Sequence, residues 1–256
     1  SAGKCNTTGD KNTAIGYSSL YNNTTADNNT AVGYASMLAN TTGANNTAVG
    51  LCVLESNTSG CYNHALGRNT LMENTSGCWS TAIGQQALTA SVATGDTGNT
   101  AVGGSAMLSN TTGTNNTALG RCALVCNTTA VNNTAVGKDA LKLSTTATQN
   151  TAIGMLSLDA ATSGSYNSGL GYASLSVLTT GAFNVGAGYI AGNGITTGSY
   201  NVAIGSHSLA TTTTASNNTA VGSCALNKNT SGADNVAMGT CALDSNSQGS
   251  SNVAIG

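Results

Sequence analysis

The chain has 256 residues, with seven basic and nine acidic side chains and a formal net charge of −2. One Phe, one Trp and no Pro stand against a background of Asn, Thr, Gly, Ala and Ser. That composition argues against an ordinary globular core, which needs bulky side chains to offset ~1–2 kcal/mol of backbone ordering per residue. It argues equally against a nucleic-acid partner, which calls for clustered Lys and Arg.

No run of ~18 or more apolar residues reads as a membrane span. Disorder is the plain alternative for a Gly/Ser/Asn/Thr-rich chain. A strict period with fixed apolar positions speaks against it. The first element, Asn-Thr-Ala-Ile-Gly at 12–16, recurs as Asn-Thr-Ala-Val-Gly at 29–33 and 46–50. The motif glycine or its equivalent then returns at Gly67, Gly84, Gly103, Gly120, Gly137, Gly154, Gly171, Gly188, Gly205, Gly222, Gly239 and Gly256. Every step is seventeen residues except the nineteen from Gly84 to Gly103, which places a two-residue insertion within 85–99. Ser1 falls inside a repeat unit, so residues 1–256 read as a single repeat array and a fragment of a longer fibre protein.

Other columns hold the same register. Asn stands four before the glycine in fourteen of fifteen units, with Ser80 the exception. Leu or Met stands four after it in thirteen of fourteen, with Gly192 the exception. Gly stands seven before it in ten units, closing turns such as Asn-Thr-Thr-Gly.

A period of seventeen is too short for the helical-pair repeats of ~33–47 residues and lacks the leucine-rich pattern. Helix is disfavoured by the density of Gly, Asn, Thr and Ser. Thr30-Ala31-Val32 alternates as a strand does, and a second short extended piece is expected through Tyr34–Leu38. Turn chemistry separates them at 40–46 and at Gly33-Tyr34. Each unit is then one coil of an all-β parallel solenoid of about fifteen coils, stacked ~4.8 Å apart into a rod of roughly 70 Å.

Stacking turns the columns into ladders: Asn29 on Asn46, Asn116 on Asn133, Val32 on Val49, Gly33 on Gly50, with Leu54 and Leu124 in the leucine column. Asn ladders can exchange amide hydrogen bonds from coil to coil. Small residues suit a flattened coil with little interior. Such a coil cannot hide both the Val/Ile and the Leu/Met columns. One apolar stripe is therefore expected to pack between chains, most simply in a homotrimer.

The motifs Asn-Val-Ala-Ile-Gly at 201–205 and 252–256, with Ala87, Ala106 and Ala123 three after the glycine, resemble the head repeats of trimeric autotransporter adhesins (YadA-like). Related Asn-Thr-Ala-Leu-Gly arrays are similar to repeats of phage and viral tail fibres. The resemblance implies a left-handed β-roll in a homotrimer, displayed on a cell or virion surface as an extracellular fibre. It departs from the adhesin unit in length, since that unit is about fourteen residues; the surplus lies in the Asn-Thr-Thr-Gly turn.

Eight cysteines are the most conspicuous chemistry. Cys61 and Cys78 share one column, and Cys224 and Cys241 share another with Cys52 and Cys122. In-register neighbours come within disulfide range, so they read either as small ladder residues or as disulfides within or between chains. No Cys-x-x-Cys pair or His cluster points to metal. No cofactor is expected.

Fourteen Asn-x-Ser/Thr sequons include Asn23, Asn40, Asn57, Asn74, Asn110 and Asn127. They are candidate glycan acceptors on an exposed turn, or simply turn and ladder residues. His64 and His207 lie more than eight coils apart, Glu55 and Glu73 occupy different columns, and no catalytic motif is present, so no enzyme is expected.

The function read from the sequence is a stiff structural or adhesive fibre segment whose partners are its own copies and, on the outer face, a surface glycan or host receptor. Tyr17, Tyr34 and Tyr172 after the glycine suit either glycan contact or packing between chains. The alternative is an ice-binding solenoid, with Thr30, Thr47, Thr117 and Thr134 as its water-ordering column.

Overall fold

The computed structural model describes all residues 1–256 and contains strands and turns but no helix. It is a parallel β-solenoid whose coils are contributed by two compact units, Ser1–Val131 and Asn132–Gly256.

In the first unit the Asn-Thr-Ala-(Val/Ile) motifs form β1 (Thr13–Ile15), β2 (Thr30–Val32), β3 (Thr47–Val49), β4 (His64–Leu66), β6 (Thr81–Ile83), β8 (Thr100–Val102) and β9 (Thr117–Leu119). Each pairs in parallel with the next at the repeat register, so that Ala31 faces Ala48 and Val32 faces Val49. The insertion coil adds a small separate sheet, β5 (Ser76–Cys78) on β7 (Thr94–Asp96). The second unit holds β10 (Thr134–Val136), β11 (Thr151–Ile153), β12 (Ser168–Leu170), β13 (Val185–Ala187), β14 (Val202–Ile204), β15 (Thr219–Val221), β16 (Val236–Met238) and β17 (Val253–Ile255), paired in the same way.

The expected second strand is absent. Residues 34–38 form turns in which Ala35 and Met37 take φ values of 51° and 53°. The same left-handed pair recurs along the chain, as at Cys52 and Leu54 or Cys122 and Leu124. These conformations cost a side-chain-bearing residue ~1–2 kcal/mol each. The backbone ladder offsets that cost. Ala35 donates its N–H to Tyr17 O on the preceding coil, at 2.9 Å. Met37 and Ala39 donate theirs to Val53 O and Glu55 O on the following one, also at 2.9 Å. The segment thus pairs with both neighbours without being extended.

The interior is thin. The middle Ala of each strand (Ala31, Ala48, Ala118, Ala135) and the Leu/Met column (Met37, Leu54, Leu124, Leu141) are fully buried. A hydroxyl often ties the two walls: Ser36 Oγ donates to Ala48 O at 3.0 Å, and Ser19 Oγ to Ala31 O at 2.8 Å. Volume is conserved within single coils. Where Leu175 and Leu178 are both buried, the strand carries Gly186, and a methyl there would come 2.8 Å from Leu175 Cγ. One coil on, Gly192 replaces the usual leucine and Ile195 fills the space.

Two buried Asn columns converge on one turn carbonyl. Asn46 Nδ2 and Asn57 Nδ2 both donate to Gly60 O, at 2.8 and 3.0 Å. The expected side-chain ladder is therefore more elaborate than a single amide stack. In the motif column of the first unit, Asn29 Oδ1 accepts the backbone N–H of Asn46 at 2.9 Å, and Asn46 Oδ1 that of Asn63 at 2.9 Å. In the second unit that column also links amide to amide, as from Asn184 Nδ2 to Asn167 Oδ1 at 3.1 Å.

Asn46→Ala is accordingly expected to leave the buried Asn63 N–H without a partner, while Gly60 O keeps only the bond from Asn57. One unmet group costs ~1–3 kcal/mol, read as a lower denaturant midpoint. Asn46→Asp keeps the acceptor but sets a carboxylate against Gly60 O in a buried site, which raises its folded-state pKa above the usual carboxylate range. That variant should match wild type best below pH ~4, where the acid is protonated in both states, and lose stability as pH rises towards neutrality.

Candidate functional site

With the alanines and leucines inside, the motif Thr and Val/Ile point outward. The two columns sit two residues apart on each strand, giving each unit a flat face. On this face Val49, Leu66, Ile83 and Leu119 remain 37–40% exposed in the first unit. Ile153, Leu170, Ile204 and Met238 remain 41–44% exposed in the second. None of the seven basic and nine acidic side chains lies in either column. Charge is confined to other positions, including the Lys138–Asp139 and Lys228–Asp244 pairs at 3.4 and 3.3 Å. The expected division of the apolar stripes is resolved by this geometry: Leu54 and Leu124 lie inside, while Val32 and Val49 lie outside.

Aromatic side chains border the face on both sides. Just before the strands, Tyr166, Phe183 and Tyr200 stack with centroids 4.7 and 5.0 Å apart and planes within 4°. Just after the motif glycine, Tyr17 stacks on Tyr34 and Tyr172 on Tyr189, each pair at 5.4 Å. Stacked in this way, the rings cover one another's faces and present edges outward. Sugar recognition by ring-face stacking is therefore open only at the ends of each ladder. The sequence signalled the tyrosines after the glycine but missed the Tyr166–Phe183–Tyr200 column, whose position holds Asn in five other units and varied residues in the rest.

The sequons fall elsewhere. Asn23, Asn40, Asn57, Asn74, Asn110 and Asn127 are at most 1% exposed. Their amide nitrogens are engaged, as in Asn40 Nδ2 to Asn23 Oδ1 at 3.0 Å and Asn57 Nδ2 to Asn40 Oδ1 at 2.8 Å. A glycan needs that nitrogen free and facing solvent, so the exposed-turn reading of these six gives way to an internal amide ladder. The same spacing places Ser91 and Ser144 in this column, and their buried hydroxyls lack a partner, because serine is too short for the role of asparagine.

All eight cysteines are thiols, and the two register pairs behave differently. Cys61 and Cys78 bring their Sγ atoms to 2.9 Å, with the Cys61 N–H donating to Cys78 Sγ at 3.1 Å. Burial first, then the hydrogen bond and charge of Cys78 and the charge of Asp96, pushes the Cys61 thiol up to about 11. Cys224 and Cys241 occupy left-handed turn positions with φ of 57° and 59° and make no sulfur–sulfur contact. Cys52 is raised by burial and by its hydrogen bond to Glu55. His64 stands outward on β4 between Thr47 and Thr81, and His207 tilts against Tyr189 with centroids 5.4 Å apart. No three His, Cys, Asp or Glu side chains gather as a metal-ligand group, and no helix is long and apolar enough to cross a membrane.

Fold and face together define a β-solenoid repeat protein each of whose units carries a flat, uncharged, Thr- and aliphatic-lined side. Among known proteins, no family model, curated sequence or solved structure matches the chain.

Proposed function

We propose that the chain is a non-catalytic structural segment of an extracellular fibre, on a cell or virion surface, in which three copies pack their flat faces together. The observation that carries this reading is the outward aliphatic column flanked by Thr and free of charge. Interface cores are depleted of charge and enriched in apolar and aromatic groups, and each fully buried aliphatic side chain contributes ~1.5–3 kcal/mol. The adhesin-like Asn-Val-Ala-Ile-Gly motifs support a threefold, surface-displayed arrangement. Ring edges beside the face suit packing between chains better than they suit a sugar. A receptor or glycan would then meet the turns and the remaining outer wall. Native mass spectrometry of the full chain at micromolar concentration tests the proposal: three copies are expected, and a monomer would overturn it.

A second reading draws on the same face. An outward Thr column beside an aliphatic column, repeated at the strand spacing, can order water as an ice-binding surface does. Thermal hysteresis from a monomeric chain would favour it over the fibre.

A further inference from the structure

The column that holds Cys61 and Cys78 has a recurrent backbone task. A side chain on one coil accepts the N–H of its equivalent on the coil before: Ser165 Oγ from Thr148, Ser199 Oγ from Ala182, Ser216 Oγ from Ser199 and Ser250 Oγ from Ala233, each at 3.0 Å. Cys78 Sγ performs this task for Cys61 N–H. A hydroxyl suffices for it, so the backbone requirement does not explain a sulfur on each coil. What the two cysteines add is the approach of their sulfurs to 2.9 Å, less than an ångström beyond a disulfide bond of ~2.05 Å. The next residue on each coil holds the pair in place: Tyr62 stacks on Trp79 with centroids 4.2 Å apart and planes within 7°. Trp79 N–H also donates to Cys61 O at 3.1 Å. Both residues are half-buried, within reach of a small oxidant.

We infer that Cys61 and Cys78 form a redox clasp between successive coils, closing to an intrachain disulfide under a small-molecule disulfide and reopening under a thiol. The inference stands independently of the fibre reading. One cysteine, as thiolate, attacks a sulfur of oxidised glutathione, breaks its S–S bond and releases one glutathione thiolate. The other cysteine, as thiolate, attacks the protein-side sulfur of the mixed disulfide, forms the Cys61–Cys78 bond and releases the second glutathione. The protein gives up two protons and two electrons, and the oxidant gains them as two thiols.

The test uses the full chain, exposed to oxidised glutathione, alkylated under denaturing conditions and digested with trypsin. Cleavage after Lys11, Arg68 and Arg121 puts Cys61 and Cys78 on separate peptides, 12–68 and 69–121. The expected result is a joined pair of these peptides that reductant separates and that neither Cys61→Ser nor Cys78→Ser produces. Serine keeps the hydrogen-bonding role, so circular dichroism of the two variants should match wild type. Unjoined peptides in the oxidised wild-type chain would overturn the clasp. So would a joined pair that persists in Cys61→Ser, since it would place the bond on Cys52, the other cysteine of peptide 12–68.

Discussion

Gly50→Ala is expected to lower the stability of the first unit by roughly 2–6 kcal/mol, while Gly104→Ala leaves it unchanged or slightly higher. Gly50 has φ of 136°, outside the left-handed well at ~+50 to +70° that other residues can enter. A methyl on it would also drive into the carbonyl oxygen of Gly67 on the next coil. Neither strain can relax locally, because Gly50 N–H is fixed to Val32 O at 2.8 Å and the following coil is held by its own ladder. Gly104, one residue beyond a motif glycine, has open space around the same added methyl and no left-handed φ. In a solenoid each coil rests mainly on its neighbours, so a misplaced coil removes two stacking interfaces at once. Paired thermal or denaturant melts of the two variants decide the point; equal midpoints would show that the glycine column is not what sets coil spacing.

The repeat columns were legible because stacking turns identity at a fixed period into contact. Period, glycine and the existence of a leucine column needed only the sequence, and Ala31 over Ala48 follows from the alternation of Thr-Ala-Val; that leucine rather than valine turns inward did not. The wall after the glycine was not legible. Leu and Met strongly disfavour left-handed φ, so no propensity argument would place Met37 or Leu54 there. Only the gain of paired N–H groups on both neighbouring coils, a property of the stack, makes that conformation tolerable. The sequons misled for a related reason. Asn-Thr-Thr-Gly is turn chemistry, and turns are usually exposed, yet here the first Asn bends inward to serve Gly43 O or Gly60 O. Among the cysteines, spacing alone made Cys61–Cys78 and Cys224–Cys241 equivalent. What separates them is backbone conformation, because the second pair sits at left-handed turn positions.

The flat face yields the second large expected effect. On the proposed threefold packing, Ile153→Asp combined with Ile204→Asp should shift a micromolar sample from trimer to monomer while the far-ultraviolet spectrum stays that of a folded solenoid. Both isoleucines are more than two-fifths exposed in the single chain, and they lie on β11 and β14, so the two new charges are not in-register neighbours. The cost to the isolated coil is then limited to strand preference, within ~1 kcal/mol per site. In a closed threefold assembly each substitution appears three times about one axis. Desolvation and like-charge repulsion there cost several kcal/mol, a weakening of roughly a hundredfold or more. Thr146→Asp with Thr197→Asp carries the same added charge on exposed turns of the same unit and should leave the mass unchanged. If both double variants remain trimeric, the face is not the interface. If both dissociate, net charge rather than position governs association. Dissociation confined to the face variant is the outcome that the packing argument requires, because only there does the charge enter a surface that must lose its water.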